Sequence, residues 1–116
     1  MKVLVVDDSA VMRKIIIKAL MEAGHADVVE AGDGKDALTK AGDVDVVFTD
    51  WNMPVMDGLT FVQELRKSSQ IPVVMITTEG GQKEVLEAMK SGVNDYVVKP
   101  FTPAVLIGKL ESLLKK

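Results

Sequence analysis

The chain has 116 residues, 47% of them hydrophobic, which is enough to fill the core of one domain. Its 14 basic and 17 acidic side chains leave a net charge of −3, so no positive excess exists with which to track the phosphates of nucleic acid. With no cysteine and one histidine, disulfides, thiolate catalysis, iron–sulfur clusters, cysteine-ligated zinc and histidine-rich metal sites are excluded, and oxygen-ligand chemistry remains.

The apolar run before Asp7-Asp8 is too short for a signal-peptide core or a membrane span, which predicts a soluble, cytoplasmic protein without membrane insertion. Lys2–Asp7 predicts the first strand. Ser9 then caps a helix that runs to about Ala23 and stops at Gly24. Ala26–Ala31 predicts a second strand, and Asp33-Gly34 opens a short helix ending near Gly42. Val44–Asp50 is the third strand, followed by a helix from Asp57-Gly58 to about Ser68. Ile71–Thr77 is the fourth, and Gly80-Gly81 leads into a helix that stops at Gly92. After a fifth strand, Asp95–Val98, Thr102-Pro103 supplies the N-cap and first-turn proline of a last helix. Its apolar face is Val105, Leu106, Ile107, Leu110, Leu113 and Leu114.

Short β-branched runs alternating with amphipathic ones predict an α/β fold, (βα)5, with a doubly wound five-stranded parallel sheet. The near-continuous apolar middle strands agree with burial on both faces. With right-handed crossovers the established order for such folds is 2-1-3-4-5. No linker, low-complexity stretch or internal repeat interrupts residues 1–116, so a single domain is expected.

Parallel strands bring all their C-terminal ends to one edge of the sheet. Strand one ends in Asp7-Asp8, strand three in Asp50, strand four in Thr77-Thr78 and strand five in Lys99-Pro100, whereas strand two ends blandly in Glu30-Ala31. Three carboxylates at one rim repel one another unless a cation sits among them. Oxygen ligands alone suit Mg²⁺, which binds through few carboxylates and completes its shell with water and phosphate oxygens. A carboxylate can attack phosphorus in line while metal and lysine neutralise the equatorial oxygens. Asp50, on the central strand, is the candidate nucleophile; Asp7 and Asp8 are the candidate metal ligands, with Asp50 and the backbone carbonyl of Asn52 completing the set. Thr77 would donate its hydroxyl to a phosphoryl oxygen, and Lys99 would supply the point charge.

Four ordered blocks carry a resemblance: Val5-Val6-Asp7-Asp8-Ser9, Thr49-Asp50-Trp51-Asn52-Met53-Pro54-Val55-Met56-Asp57-Gly58, Met75-Ile76-Thr77 and Asp95-Tyr96-Val97-Val98-Lys99-Pro100-Phe101. Together they resemble the receiver domain of bacterial two-component response regulators, over the whole chain. The resemblance is nearest to single-domain chemotaxis-type regulators, from Trp51-Asn52, from Glu79 and from the end of the chain after the fifth helix. It implies a flavodoxin-like fold, one receiver domain over 1–116 with no output domain, and Mg²⁺ as cofactor. It also implies that Asp50 accepts a phosphoryl group from a histidine kinase and loses it to water, so that the only chemistry is on the protein itself. Thr77 and Tyr96 would form the switch, helix four, strand five and helix five the readout surface, and Gly80-Gly81 the loop that gives way. Asn52 and Glu79 would set the dephosphorylation rate. The implied partners are the kinase, a phosphatase and a downstream target such as a flagellar motor switch protein. The Lys99-Pro100 bond would be cis. Thr78 departs from the small residue usual in that place and can narrow access to Asp50.

Other classes stay in view. A Mg²⁺-dependent aspartyl-phosphate phosphatase of the haloacid dehalogenase kind would want an aspartate two residues after its nucleophile, where this chain has Asn52. A flavodoxin-like electron carrier would not place Asp7-Asp8 against a flavin phosphate. An unphosphorylated interaction module is the third alternative. Met12, Met21, Met53, Met56, Met75 and Met89 are expected as core filler and loop anchors. Tyr96 is expected half-buried with a wet hydroxyl, Trp51 partly exposed beside the site, and His25 an exposed cap residue. Val11, Ile15, Ile16, Ile17 and Leu20 give the first helix more apolar surface than one buried face needs, which leaves dimerisation open.

Overall fold

The structure, a computed structural model, describes residues 1–25 and 27–114, the last without its side chain. The elements are β1 (Val3–Val6), α1 (Ala10–Glu22), β2 (Val28–Ala31), α2 (Gly34–Lys40), β3 (Val46–Thr49), α3 (Gly58–Leu65), β4 (Val73–Thr77), α4 (Gln82–Lys90), β5 (Asp95–Val98) and α5 (Pro103–Leu114). All strand pairings are parallel, and the order is β2-β1-β3-β4-β5. The predicted (βα)5 architecture and strand order are therefore observed.

Side-chain alternation divides the core into two layers. Leu4, Val6, Val47, Val73 and Met75 face one way and pack with Ala37, Phe61, Val62, Leu65 and Ala88 of α2, α3 and α4. Val3, Val5, Phe48, Val74, Ile76 and Val97 face the other and meet Ile16 and Leu20 of α1 and Leu106 and Leu110 of α5. The central strands are apolar up to the terminal Thr49 of β3 and Thr77 of β4, because water reaches neither face.

The predicted boundaries shift at several ends. Strands three and four begin later than expected; for β4 the reason is Pro72, which has no N–H to give a ladder and serves it only through its carbonyl, accepting from Val47 at 2.9 Å. The predicted start of β2 at Ala26 lies outside the described residues. Helix α2 ends at Lys40 and continues as a 3-10 turn, Ala41–Asp43. Helix α3 ends at Leu65, where Arg66 takes over the last turn. Side-chain caps hold as read: the Ser9, Asp33 and Asp57 side chains accept from the N–H groups of Met12, Asp36 and Thr60. Thr102 Oγ1 accepts from Val105 N–H at 3.3 Å.

Several burial expectations are corrected. Val105 is 47% exposed, because the face of α5 that meets the sheet is centred on Leu106 and Leu110. The Leu114 side chain, assigned to the same face, lies outside the described residues. On α1, Ile16 and Leu20 fill the buried stripe while Val11 and Ile15 are exposed on the opposite side. Met75 is core and Met12, Met53 and Met56 pack at its margin, but Met21 and Met89 are exposed. His25 is half-buried instead of exposed, its N–H donating to the Leu20 carbonyl at 2.9 Å where the chain turns back after α1. Among the described residues no helix is long and apolar enough to cross a membrane.

Candidate functional site

Register brings the site together. Val6 pairs with Thr49, so the residues that follow them, Asp7 and Asp50, leave adjacent strands side by side. Thr77 pairs with Val98, which sets Lys99 just beyond the end of β4. Alternation also gives Asp7, Asp50 and Lys99 the parity of Val5, Phe48 and Val97, so all three project on one side. Lys99 Nζ accordingly donates to Asp7 Oδ2 at 3.0 Å and to Asp50 Oδ2 at 3.2 Å. Asp7 is 1% exposed, Asp50 8%, and Asp8 is exposed at the rim. One carboxylate oxygen from each of Asp7, Asp8 and Asp50 lies within 4.8 Å of the others, an arrangement fit for a hard divalent cation.

The second oxygens of the buried pair are also held. Asp7 Oδ1 accepts from Ser9 N–H at 2.9 Å, and Asp50 Oδ1 from Trp51 N–H at 2.7 Å. Burial pushes the Asp50 carboxyl above its ordinary pKa; Lys99 opposes this, the Asp7 charge adds to it, and the net direction is upward. For Lys99 burial is the largest effect and acts downward, but hydrogen bonds and charges from Asp7 and Asp50 together outweigh it, leaving the ammonium more basic than usual.

Trp51 is 9% exposed, packed into the layer with Val6, Phe61 and Met75 and not standing partly exposed as its sequence position suggests. Its carbonyl accepts from Gly58 N–H at 2.8 Å, which pulls the loop after β3 back onto the start of α3. Only glycine permits that approach: a Cβ on residue 58 would lie 2.0 Å from the Asp50 carbonyl oxygen. Asn52 is exposed, and its side chain donates to Glu79 Oε1 at 3.3 Å across the mouth of the site.

Thr77 is fully buried, and its Oγ1 accepts from Glu79 N–H at 3.3 Å. Tyr96, half-buried, donates its hydroxyl to the Glu79 carbonyl, so the expected wet hydroxyl is protein-bound. Burial first, then the negative charges of Glu79, Glu84 and Asp50, push this phenol up to about 12, and it stays a donor at any physiological pH. Thr78 is exposed on the rim, and the Lys99-Pro100 bond is cis.

Two residues escaped the sequence reading. Arg13 Nη1 donates to the Asp7 carbonyl at 2.5 Å and its Nε to Glu30 Oε1 at 2.9 Å. Glu30 belongs to the strand end that looked bland. The signal is non-local: it requires knowing that β2 lies next to β1.

Residues 3–111 match the family described as the response regulator receiver domain. A chemotaxis protein CheY homolog of Campylobacter jejuni is 55% identical over 120 aligned positions, spanning 98% of this chain and 92% of that protein. Chemotaxis protein CheY1 of Helicobacter pylori is 53% identical, spanning 98% of this chain and 97% of its own length. Among solved structures, chemotaxis response regulator CheY4 of Vibrio cholerae superposes with a TM-score of 0.89 at 40% identity, covering 97% of each chain. A two-component response regulator from Clostridium difficile, 24% identical with a TM-score of 0.93 over 100% of this chain and 97% of that one, shares the fold. The chain belongs to the response regulator receiver domain family.

Proposed function

We propose that this chain is a phosphorylation-activated switch of a two-component system, in which Asp50 is the phospho-acceptor. The observation that carries it is Lys99 Nζ bridging Asp7 Oδ2 and Asp50 Oδ2 inside a cluster of three carboxylates. An Asp50 carboxylate oxygen attacks the phosphorus of a histidine kinase's phosphohistidine; the N–P bond breaks and the imidazole leaves with its electron pair. Water later attacks the same phosphorus, releasing inorganic phosphate and the carboxylate.

Asp7, Asp8, Asp50 and the Asn52 carbonyl would hold Mg²⁺, whose charge offsets that of the phosphoryl oxygens when bound. Lys99 contributes the second positive charge, already hydrogen-bonded to the acceptor and thus needing little reorganisation. The Trp51 N–H orients the carboxylate from the other side.

The switch reading assigns the transmission to Thr77 and Tyr96. Both are tied to Glu79, one through its N–H and the other through its carbonyl, so a phosphoryl group that draws the Thr77 hydroxyl disturbs the Tyr96 bond through one residue. Asn52 and Glu79, joined over the site, would tune water access and hence dephosphorylation. The output surface is the face of α4, β5 and α5, where Met89, Val98 and Val105 stand exposed. The names of the relatives support a chemotaxis role. The same proposal includes a cytoplasmic setting, a downstream target such as a flagellar motor switch protein, and a phosphatase as further partner.

The test is an intact-mass spectrum after incubation with Mg²⁺ and acetyl phosphate, alongside Asp50→Asn and metal-free controls, with Trp51 fluorescence recorded. A labile adduct of one phosphoryl group that needs Mg²⁺ and Asp50 is the expected result. Mg²⁺ binding without an adduct, from acetyl phosphate or from a cognate kinase, would overturn it.

A further inference from the structure

We infer that Arg13 is a positioning residue for the acidic loop: its guanidinium holds the Asp7–Asp8 peptide where the cluster can bind a divalent cation, and Glu30 and Lys40 in turn hold Arg13. The inference rests on the metal role proposed above for Asp7 and Asp8.

Asp7 is the last residue of this segment tied into the sheet, through its N–H to the Ala31 carbonyl at 3.1 Å. Beyond it the backbone leaves the ladder, so the Asp7 carbonyl has passed the end of β1 and needs a partner of another kind. Arg13 Nη1 supplies it. The next fixed point is Ser9, whose N–H returns to Asp7 Oδ1 and whose hydroxyl caps α1. Between these points lies Asp8, exposed, its carboxylate carried on the peptide that Arg13 grips.

Arg13 is itself restrained. Its side chain is 20% exposed, and its Nε is held by Glu30 Oε1 at 2.9 Å. The Glu30 carbonyl accepts from Lys40 Nζ at 2.8 Å, and the same ammonium bonds Asp36 Oδ2 at 2.9 Å. A chain of contacts from α2 through the end of β2 to α1 therefore terminates on the Asp7 carbonyl. The Arg13 guanidinium uses two separate nitrogens, Nε for the Glu30 carboxylate and Nη1 for the Asp7 carbonyl, in a fixed planar fork, whereas a lysine at residue 13 would have to reach both acceptors from a single nitrogen.

Positioning and plain electrostatics predict opposite signs. A cation beside the cluster opposes a second cation, so if charge were its whole effect, removing Arg13 would tighten Mg²⁺ binding. If it positions the loop, removal weakens binding, as loss of residues that orient metal ligands commonly does by roughly 10- to 100-fold.

The experiment uses the full chain with Arg13→Lys, Arg13→Gln, Glu30→Gln and, as reference, Asp8→Asn. Mg²⁺ dissociation constants are taken from calorimetry and Trp51 fluorescence, and amide exchange is followed at Asp7 and Ser9, whose N–H groups are hydrogen-bonded. Both Arg13 variants should bind Mg²⁺ about tenfold more weakly, with the lysine failing to rescue, and should exchange the Asp7 and Ser9 amides at least about tenfold faster. Glu30→Gln should show a smaller loss of the same sign. Unchanged affinity in the Arg13 variants, or tighter binding in Arg13→Gln, overturns the inference; so does a lowered unfolding midpoint with no change in Mg²⁺ affinity, the mark of a merely structural residue. If wild type and Asp8→Asn bind Mg²⁺ alike, the metal reading fails instead, and the exchange rates at Asp7 and Ser9 still decide whether Arg13 holds the loop.

Discussion

Gly58→Ala should be far more damaging than one methyl group suggests. A Cβ at residue 58 would meet the Asp50 carbonyl oxygen at 2.0 Å, the Asp50 carbonyl carbon at 2.9 Å and Trp51 Cα at 3.0 Å. All three atoms are backbone, so no rotamer change relieves the contact, and the first must open by roughly 1 Å to become tolerable. That movement also stretches the bond from Gly58 N–H to the Trp51 carbonyl, now 2.8 Å. Overpacking of this kind costs about 1–3 kcal/mol, and the weakened bond about 1 more. A total near 3 kcal/mol would lower the melting temperature of a domain this size by roughly 12 °C. The same displacement moves the Trp51 N–H that orients Asp50, and a misplacement of about 1 Å can cost a reaction about 100-fold. Gly108→Ala is the internal control: it lies within α5 with nothing within 4 Å of its would-be Cβ, so it should gain up to about 1 kcal/mol from helix propensity. Urea unfolding followed by Trp51 fluorescence and circular dichroism, with phosphorylation by acetyl phosphate measured on the folded protein, tests both. A loss below about 1 kcal/mol for Gly58→Ala, or the same sign for both variants, would refute the close-approach argument.

Asp50→Asn should stabilise the metal-free protein at neutral pH. Because burial raises the Asp50 pKa in the folded state above the ordinary 3.8, the folded chain binds more protons than the unfolded one between the two values, and stability is lost as pH rises through the folded pKa. The gain from Asn should therefore vanish below about pH 3.8; a gain persisting at pH 3 would contradict the assignment. Lys99→Met leaves the 1%-exposed Asp7 side chain and its neighbour Asp50 without their shared cation, and should cost about 3 kcal/mol in urea at neutral pH. The penalty should shrink in acid as Asp50 takes up its proton, and a penalty independent of pH would count against the bridge. Arg66→Ala removes donors to the carbonyls of Gly92 and Ser69 and to Asn94 Oδ1 at the opposite edge of the sheet. It should cost about 2–3 kcal/mol while leaving the Mg²⁺ dissociation constant unchanged, and a changed constant would mean that the two ends are coupled.

Much of the candidate site could be read from strand periodicity alone. In a parallel sheet all C-terminal ends share an edge, so Asp7, Asp50, Thr77 and Lys99 had to be neighbours once each was seen to end a strand. The pairing of Val6 with Thr49 then made Asp7 and Asp50 adjacent. Trp51 could not be placed in the same way. Its burial follows from the loop folding back onto Gly58, a contact between main-chain groups that leaves no pattern of side-chain polarity. The exposure of Val105 was hidden for a related reason. An apolar face wider than the contact it makes looks uniform in sequence, and the position of α5 on the sheet selects Leu106 and Leu110 from it.

Local order along the chain suffices for the helix caps at Ser9, Asp33 and Asp57, the alternation of strand and helix, and the chemistry available at each strand end. Tertiary structure decided which distant groups met. Arg13 reaches Glu30 only because β2 lies beside β1, and Tyr96 reaches the Glu79 carbonyl only because β4 and β5 pair in their particular register. These contacts depend on spacing between elements and not along the chain, and a carbonyl acceptor is identical in every residue, so nothing in the side-chain code announces it.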